Sequence, residues 1–155
     1  MQVHGDFHPA NMMWQRLVCD GEPLSGRLVI LDWEVVGLGS GPQDLAQYLI
    51  SHASPELRRS CEIQLVQEYY ATLTGGESAS NSMPGVSPSV VDHSGYSFEM
   101  CWAEYVAGGS ERWIWLLALL STMCPDSMNQ YFHDQVGAFL RDHEVTPESI
   151  GMPRV

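Results

Sequence analysis

The chain has 155 residues, 45% of them apolar and 17% charged. That is enough for one domain with a packed core, too little for two, and too apolar for a disordered chain. Seven basic residues, all of them arginine, stand against 19 acids for a formal net charge of -12. No clustered positive charge is left for nucleic acid or for an anionic membrane surface, and a cationic or neutral ligand suits the charge better. No run reaches the ~18–20 apolar residues of a membrane-spanning helix. The N-terminus has neither the basic nor the apolar region of a secretory signal. Cys19, Cys61, Cys101 and Cys124 are widely spaced and form no CxxC pair, which fits reduced thiols in a cytoplasmic protein better than zinc or a disulfide framework.

Residues 1–11 crowd His4, Gly5, Asp6, His8, Pro9 and Asn11 into one polar, turn-prone stretch. Met12–Val18 and Arg27–Leu31 read as strands, and the turn-rich Cys19–Gly26 between them makes a β-hairpin. Gly37–Gly41 reads as a glycine-rich loop. Pro42 suits a first helical position and starts a helix to about His52, with Leu45, Leu49 and Ile50 on its apolar face. Ser54 caps a second helix to about Leu73, whose apolar positions are Leu57, Cys61, Leu65 and Tyr69, ending at Gly75-Gly76. The segment 77–92 is rich in Ser, Pro and Gly and is expected to be a mobile loop.

Two further helices are expected, about Ser97–Ala107 and about Ser110–Cys124. The second is apolar nearly all round and should be buried, with Trp113, Trp115 and Leu116–Leu120 in the core. Pro125 stops it, and Asp126 or Ser127 caps a last helix to about His143. The tail 146–155 should fray. His52, His93, His133 and His143 have no partners by spacing and read as surface histidines. The fold class is α+β and mostly helical: a β-hairpin followed by four to five helices.

The chemistry concentrates in His4-Gly5-Asp6-Phe7-His8-Pro9-Ala10-Asn11, with the spacing H-x-D-x-x-x-x-N. Protein kinases use this spacing in the catalytic loop, where the Asp accepts the substrate hydroxyl proton and the Asn binds magnesium. Leu31-Asp32-Trp33-Glu34 follows the second strand of the hairpin, where a kinase places its second metal-binding Asp. Glu34 reads as a solvated acid. Gly37-Leu38-Gly39-Ser40-Gly41 matches neither the P-loop nor the Rossmann pattern and is set aside as a phosphate loop. A competing reading takes His4, Asp6 and His8 as alternate residues on one strand face, holding a metal for hydrolysis. Pro9 and the ordered Asp32 segment argue against it. A third reading is a non-catalytic, pseudokinase-like binding module.

The loop resembles the HGDxHxxN loop of the aminoglycoside phosphotransferase and choline-kinase-like (CHK kinase-like) family. Val29-Ile30-Leu31-Asp32-Trp33-Glu34 looks like the family's metal motif, and Pro42-Gln43-Asp44-Leu45-Ala46 like its Pro-x-x-Asp-Leu-Ala segment. The resemblance covers Val3 to about Ile50. It implies a protein-kinase-like C-terminal lobe over 1–145 and ATP-dependent phosphotransfer to a hydroxyl of a small molecule, with ATP and Mg2+ bound. Asp6 would be the catalytic base, with His4 and His8 shaping its loop. Asn11 and Asp32 would hold magnesium, and Asp44 would buttress the loop. The family clamps its nucleotide with an N-terminal lobe and a lysine. This chain starts three residues before the loop and has no lysine. The expectation is therefore a catalytic lobe lacking its N-terminal lobe, inactive alone and exposing an apolar lobe interface through which it could self-associate.

Overall fold

The structure is a computed structural model that describes residues 1–15, 18–19, 22–23, 26–75, 95–147 and 149. It is mostly helical with small antiparallel strand pairs, consistent with the α+β expectation. β1 (Gln2–Val3) leads into the polar loop, and a 3-10 turn, Pro9–Asn11, delivers the chain to β2 (Met12–Gln15). β3 (Val18–Cys19) and β4 (Glu22–Pro23) continue the hairpin, and β5 (Arg27–Ile30) closes it against β2 in the register Met12↔Ile30 to Gln15↔Arg27.

The glycine-rich stretch is not simply a loop. Gly37–Leu38 forms a short strand, β6, paired antiparallel with β1, and the pairing is extended by Gly39 N–H donating to the Met1 carbonyl at 2.9 Å. The residues before the polar loop and those before the first helix are thereby tied together.

Four helices follow: α1 (Pro42–His52), α2 (Pro55–Leu73), α3 (Phe98–Met123) and α4 (Asp126–Asp142). Pro42 stands at the start of α1, and the Ser54 hydroxyl accepts the Leu57 N–H at the start of α2, both as their residue types dictate. Ala46, Leu49 and Ile50 of α1, Val66 of α2, Cys101, Tyr105 and Trp113 of α3, and Val136 and Phe139 of α4 form one core.

Four expectations about the helices are corrected. The two helices expected over 97–124 are one 26-residue helix, α3, running through Gly108-Gly109. These glycines serve close approach: a Cβ on Gly108 would lie 2.6 Å from Gln43 Cβ, and one on Gly109 would lie 2.8 Å from Ala46 Cβ. The C-terminal half of α3 is not buried all round, since Trp113 is inside but Trp115 is 76% exposed and Met123 72%. In α2 the fully buried positions are Arg58, Glu62 and Val66, one residue on from the expected stripe, and Leu57 faces solvent. α4 starts after Pro125 with no side-chain cap. The expected loop at 77–92 lies outside the described residues, as does most of the tail. Cys61, Cys101 and Cys124 are free thiols. No helix among the described residues is long and apolar enough to cross a membrane.

Candidate active site

The polar loop 4–11 is held from three sides. From α1, the Asp44 carboxylate accepts the His4 N–H at 2.7 Å on Oδ2 and the Gly5 N–H at 3.1 Å on Oδ1. Asp44 falls in the first turn of α1, so its charge also faces the favourable end of the helix dipole. From the hairpin, the Leu31 carbonyl accepts His4 Nε2–H at 2.8 Å, and the Leu31 N–H donates to the Asn11 carbonyl at 2.8 Å. From α3, the Arg112 guanidinium donates through Nη2 to the Gly5 carbonyl.

Gly5 is a glycine for a reason. Its φ is +81°, in the left-handed region that L side chains avoid, and a Cβ there would meet the Val35 carbonyl oxygen at 2.6 Å.

His4 is 3% exposed, and its two ring nitrogens are both used: Nε2–H on Leu31, and Nδ1 accepting the Asp6 N–H at 3.2 Å. The two partners fix the Nε2–H tautomer. The ring also lies 4.7 Å from that of Trp33, centroid to centroid. His4 is a loop-shaping residue, with no nitrogen left for a metal. Residues 4–8 are not a strand, so His4, Asp6 and His8 do not make the shared face that a hydrolase would need. No group of three or more His, Cys, Asp or Glu side chains is gathered for a metal among the described residues.

Asp6, His8 and Asn11 form one cluster. Asn11 Nδ2 donates to the Asp6 carbonyl at 3.0 Å and to Asp6 Oδ2 at 3.1 Å, and His8 Nε2 lies 3.2 Å from the same oxygen. Both acceptors lie on the amino side of the Asn11 amide, so its Oδ1 points elsewhere, and no described residue donates to it. Asp32 follows Leu31 directly. It is exposed, has φ +58°, and is likewise without a described donor to its carboxylate.

Two further residues reach this cluster that the sequence reading did not place there. Gln47, 4% exposed on α1, points Nε2 at Asp6 Oδ1 across 3.5 Å. His52 stacks on His8 with centroids 6.5 Å apart. Partial burial, and then the neighbouring His8, hold the His52 imidazole below its ordinary pKa. Asp44, Gln47, Tyr48 and His52 recur at helical spacing along one side of α1, which was the available signal.

The DUF1679 family model, described as "Uncharacterized oxidoreductase dhs-27", matches residues 1–84. No curated protein and no solved structure matches the chain. The matched stretch holds β1, the whole polar loop, the hairpin, α1 and α2, and it is just over half of the 155 residues. The chain therefore belongs to the DUF1679 family, within the CHK kinase-like and aminoglycoside phosphotransferase-related superfamily.

Proposed function

We propose that this chain carries the catalytic residues of an ATP-dependent phosphotransferase acting on a hydroxyl of a small molecule, with a protein-kinase-like lobe as their scaffold. The observation that carries the reading is the single hydrogen-bonded cluster of Asp6, His8 and Asn11, joined through the Leu31–Asn11 contact to the residue before Asp32. Phosphoryl transfer asks a protein mainly for positioning and charge neutralisation. Asn11 and His8 both engage Asp6 Oδ2 and so orient the carboxylate that would take the acceptor's proton. The Asn11 Oδ1 and the Asp32 carboxylate are hard oxygen donors without described partners, which fits a magnesium ion. Asn11 and Asp32 would hold such an ion, whose charge would offset that of the phosphates.

The family description names an oxidoreductase. A dinucleotide site calls for G-x-G-x-x-G between a parallel strand and its helix. The described strands all pair antiparallel, and Gly37–Gly41 reads G-L-G-S-G, so these residues favour phosphotransfer.

Metal titration of the full chain tests the reading without depending on the rest of a nucleotide site. By electron paramagnetic resonance, Mn2+ should bind wild type, and Asp32→Ala should weaken it about tenfold or more. In a transfer assay from ATP to hydroxyl acceptors, run with an ATP-clamping N-terminal lobe supplied, Asp6→Ala should cut kcat by about 10²–10⁴-fold while nucleotide binding is kept. Unchanged Mn2+ affinity in Asp32→Ala, or persistent transfer in Asp6→Ala, would refute the assignment.

A further inference from the structure

The Gly5–Asp6 peptide is gripped at both of its polar ends. Its carbonyl accepts from Arg112 Nη2, and its N–H donates to His4 Nδ1 at 3.2 Å. A peptide unit is planar, so fixing its oxygen and its hydrogen fixes the rotation of the whole plane. Together with the Asp6 φ, that plane sets the direction in which the Asp6 Cα–Cβ bond leaves the loop. The residue before it is a glycine at positive φ, the residue type that least resists rotation of the following peptide. His4 is anchored by Leu31 and Asp44, but it holds only the N–H end.

Arg112 is otherwise poorly served. Its Nε is buried with no partner, and no carboxylate among the described residues lies within ion-pair distance of it, in a chain with 19 acids. A half-buried guanidinium with an orphaned donor is costly to a fold. Such local costs concentrate where geometry serves a site. Arg112 lies on α3, beyond the stretch matched by the family model.

We propose that Arg112 is a positioning residue that locks the Gly5–Asp6 peptide plane and thereby aims the Asp6 carboxylate. The importance of that aim rests on the phosphotransfer reading, whereas the lock itself does not. Amide exchange in the ¹⁵N-labelled full chain reads the lock directly, comparing wild type with Arg112→Met and Arg112→Lys. In Arg112→Met the Asp6 amide should exchange about tenfold faster, while amides in the centres of α1 and α4 keep wild-type rates. Lysine offers one donor without the planar fork, so Arg112→Lys should fall between, at about threefold, again confined to Asp6. If Arg112→Met does not fold, the lysine variant carries the test. An Asp6 amide at the wild-type rate in the variants overturns the proposal, and so does uniform acceleration across all helices, which would make Arg112 a general fold residue. The readout needs neither metal nor nucleotide. A wild-type chain that fails to bind Mn2+ sinks the phosphotransfer reading and leaves the lock standing.

Discussion

Asp44 shows how much one side chain can fix. Its two oxygens take the N–H groups of consecutive loop residues, His4 and Gly5, at 2.7 and 3.1 Å. Asp44→Ala leaves both donors without that partner in a part-buried place and should cost about 2–3 kcal/mol, whereas Asp44→Asn keeps one acceptor and should cost about 1 kcal/mol. Urea unfolding measures both, and the His4 and Gly5 amides should lose exchange protection in the alanine variant. Equal losses in the two variants would mean the second oxygen does nothing. Asp44 was legible because it sits in a recognisable motif at a helix start. His143, read as a surface residue, instead has its side chain only 8% exposed and 3.3 Å from Glu62 Oε2. Arg112 was not legible, because its partner is 107 positions away and nothing local marks it.

At the scale of elements, most of the hairpin and helix ends could be read, because prolines, serines and strand alternation are local signals. The exception on α3 has a physical cause. Gly-Gly in a sequence signals a break, yet here it lets α1 and α3 approach closely, and the helix runs on through Ser110, whose hydroxyl donates to the Val106 carbonyl at 2.7 Å. Alanine favours helix over glycine by about 1 kcal/mol. A Cβ at 109 would, however, stand 2.8 Å from Ala46 Cβ and 3.2 Å from both Ile50 Cδ1 and Phe139 Cζ. Overpacking of a well-filled core costs about 1–3 kcal/mol. Gly109→Ala should therefore lower Tm despite its better propensity. A raised Tm would show that the contact between α1 and α3 yields easily. The offset in α2 has a similar root: periodicity scores apolar residues, and the inward face of α2 carries Arg58 and Glu62, which no hydrophobic pattern picks out.

Those two residues bind the molecule together across its length. Glu62 Oε2 accepts from Arg58 Nη1 at 2.6 Å, from the Tyr105 hydroxyl at 3.0 Å and from His143 Nε2 at 3.3 Å. Arg58 reaches on to Asp142 and lies over the Phe139 ring at 5.1 Å, and Arg59 grips the same Asp142 carboxylate at 2.8 and 3.1 Å. Side chains of α2, α3 and the end of α4 thus share one ionic cluster, buried at Arg58, Glu62 and Tyr105 and open to solvent at Arg59 and Asp142. Burial alone would raise the Glu62 pKa, but hydrogen bonds from His143 and Arg58, and their charges, bring it below the ordinary 4.5. Hydrogen bonds from Arg59 and Arg58 do the same for Asp142 against its ordinary 3.8. A carboxylate whose folded pKa is depressed stabilises the fold fully above its unfolded value, and that contribution disappears as pH falls through the folded value. Removing one partner of a buried ion pair costs about 3 kcal/mol or more, so Glu62→Gln should lower stability by about that much at neutral pH. Glutamine does not titrate at this position. The gap between wild type and variant should therefore narrow below about pH 4.5 as Glu62 is protonated in wild type. Urea midpoints taken at intervals from pH 7 to pH 3 measure this, and a gap that stays constant through pH 3 would show that Glu62 is not the charged centre of the cluster.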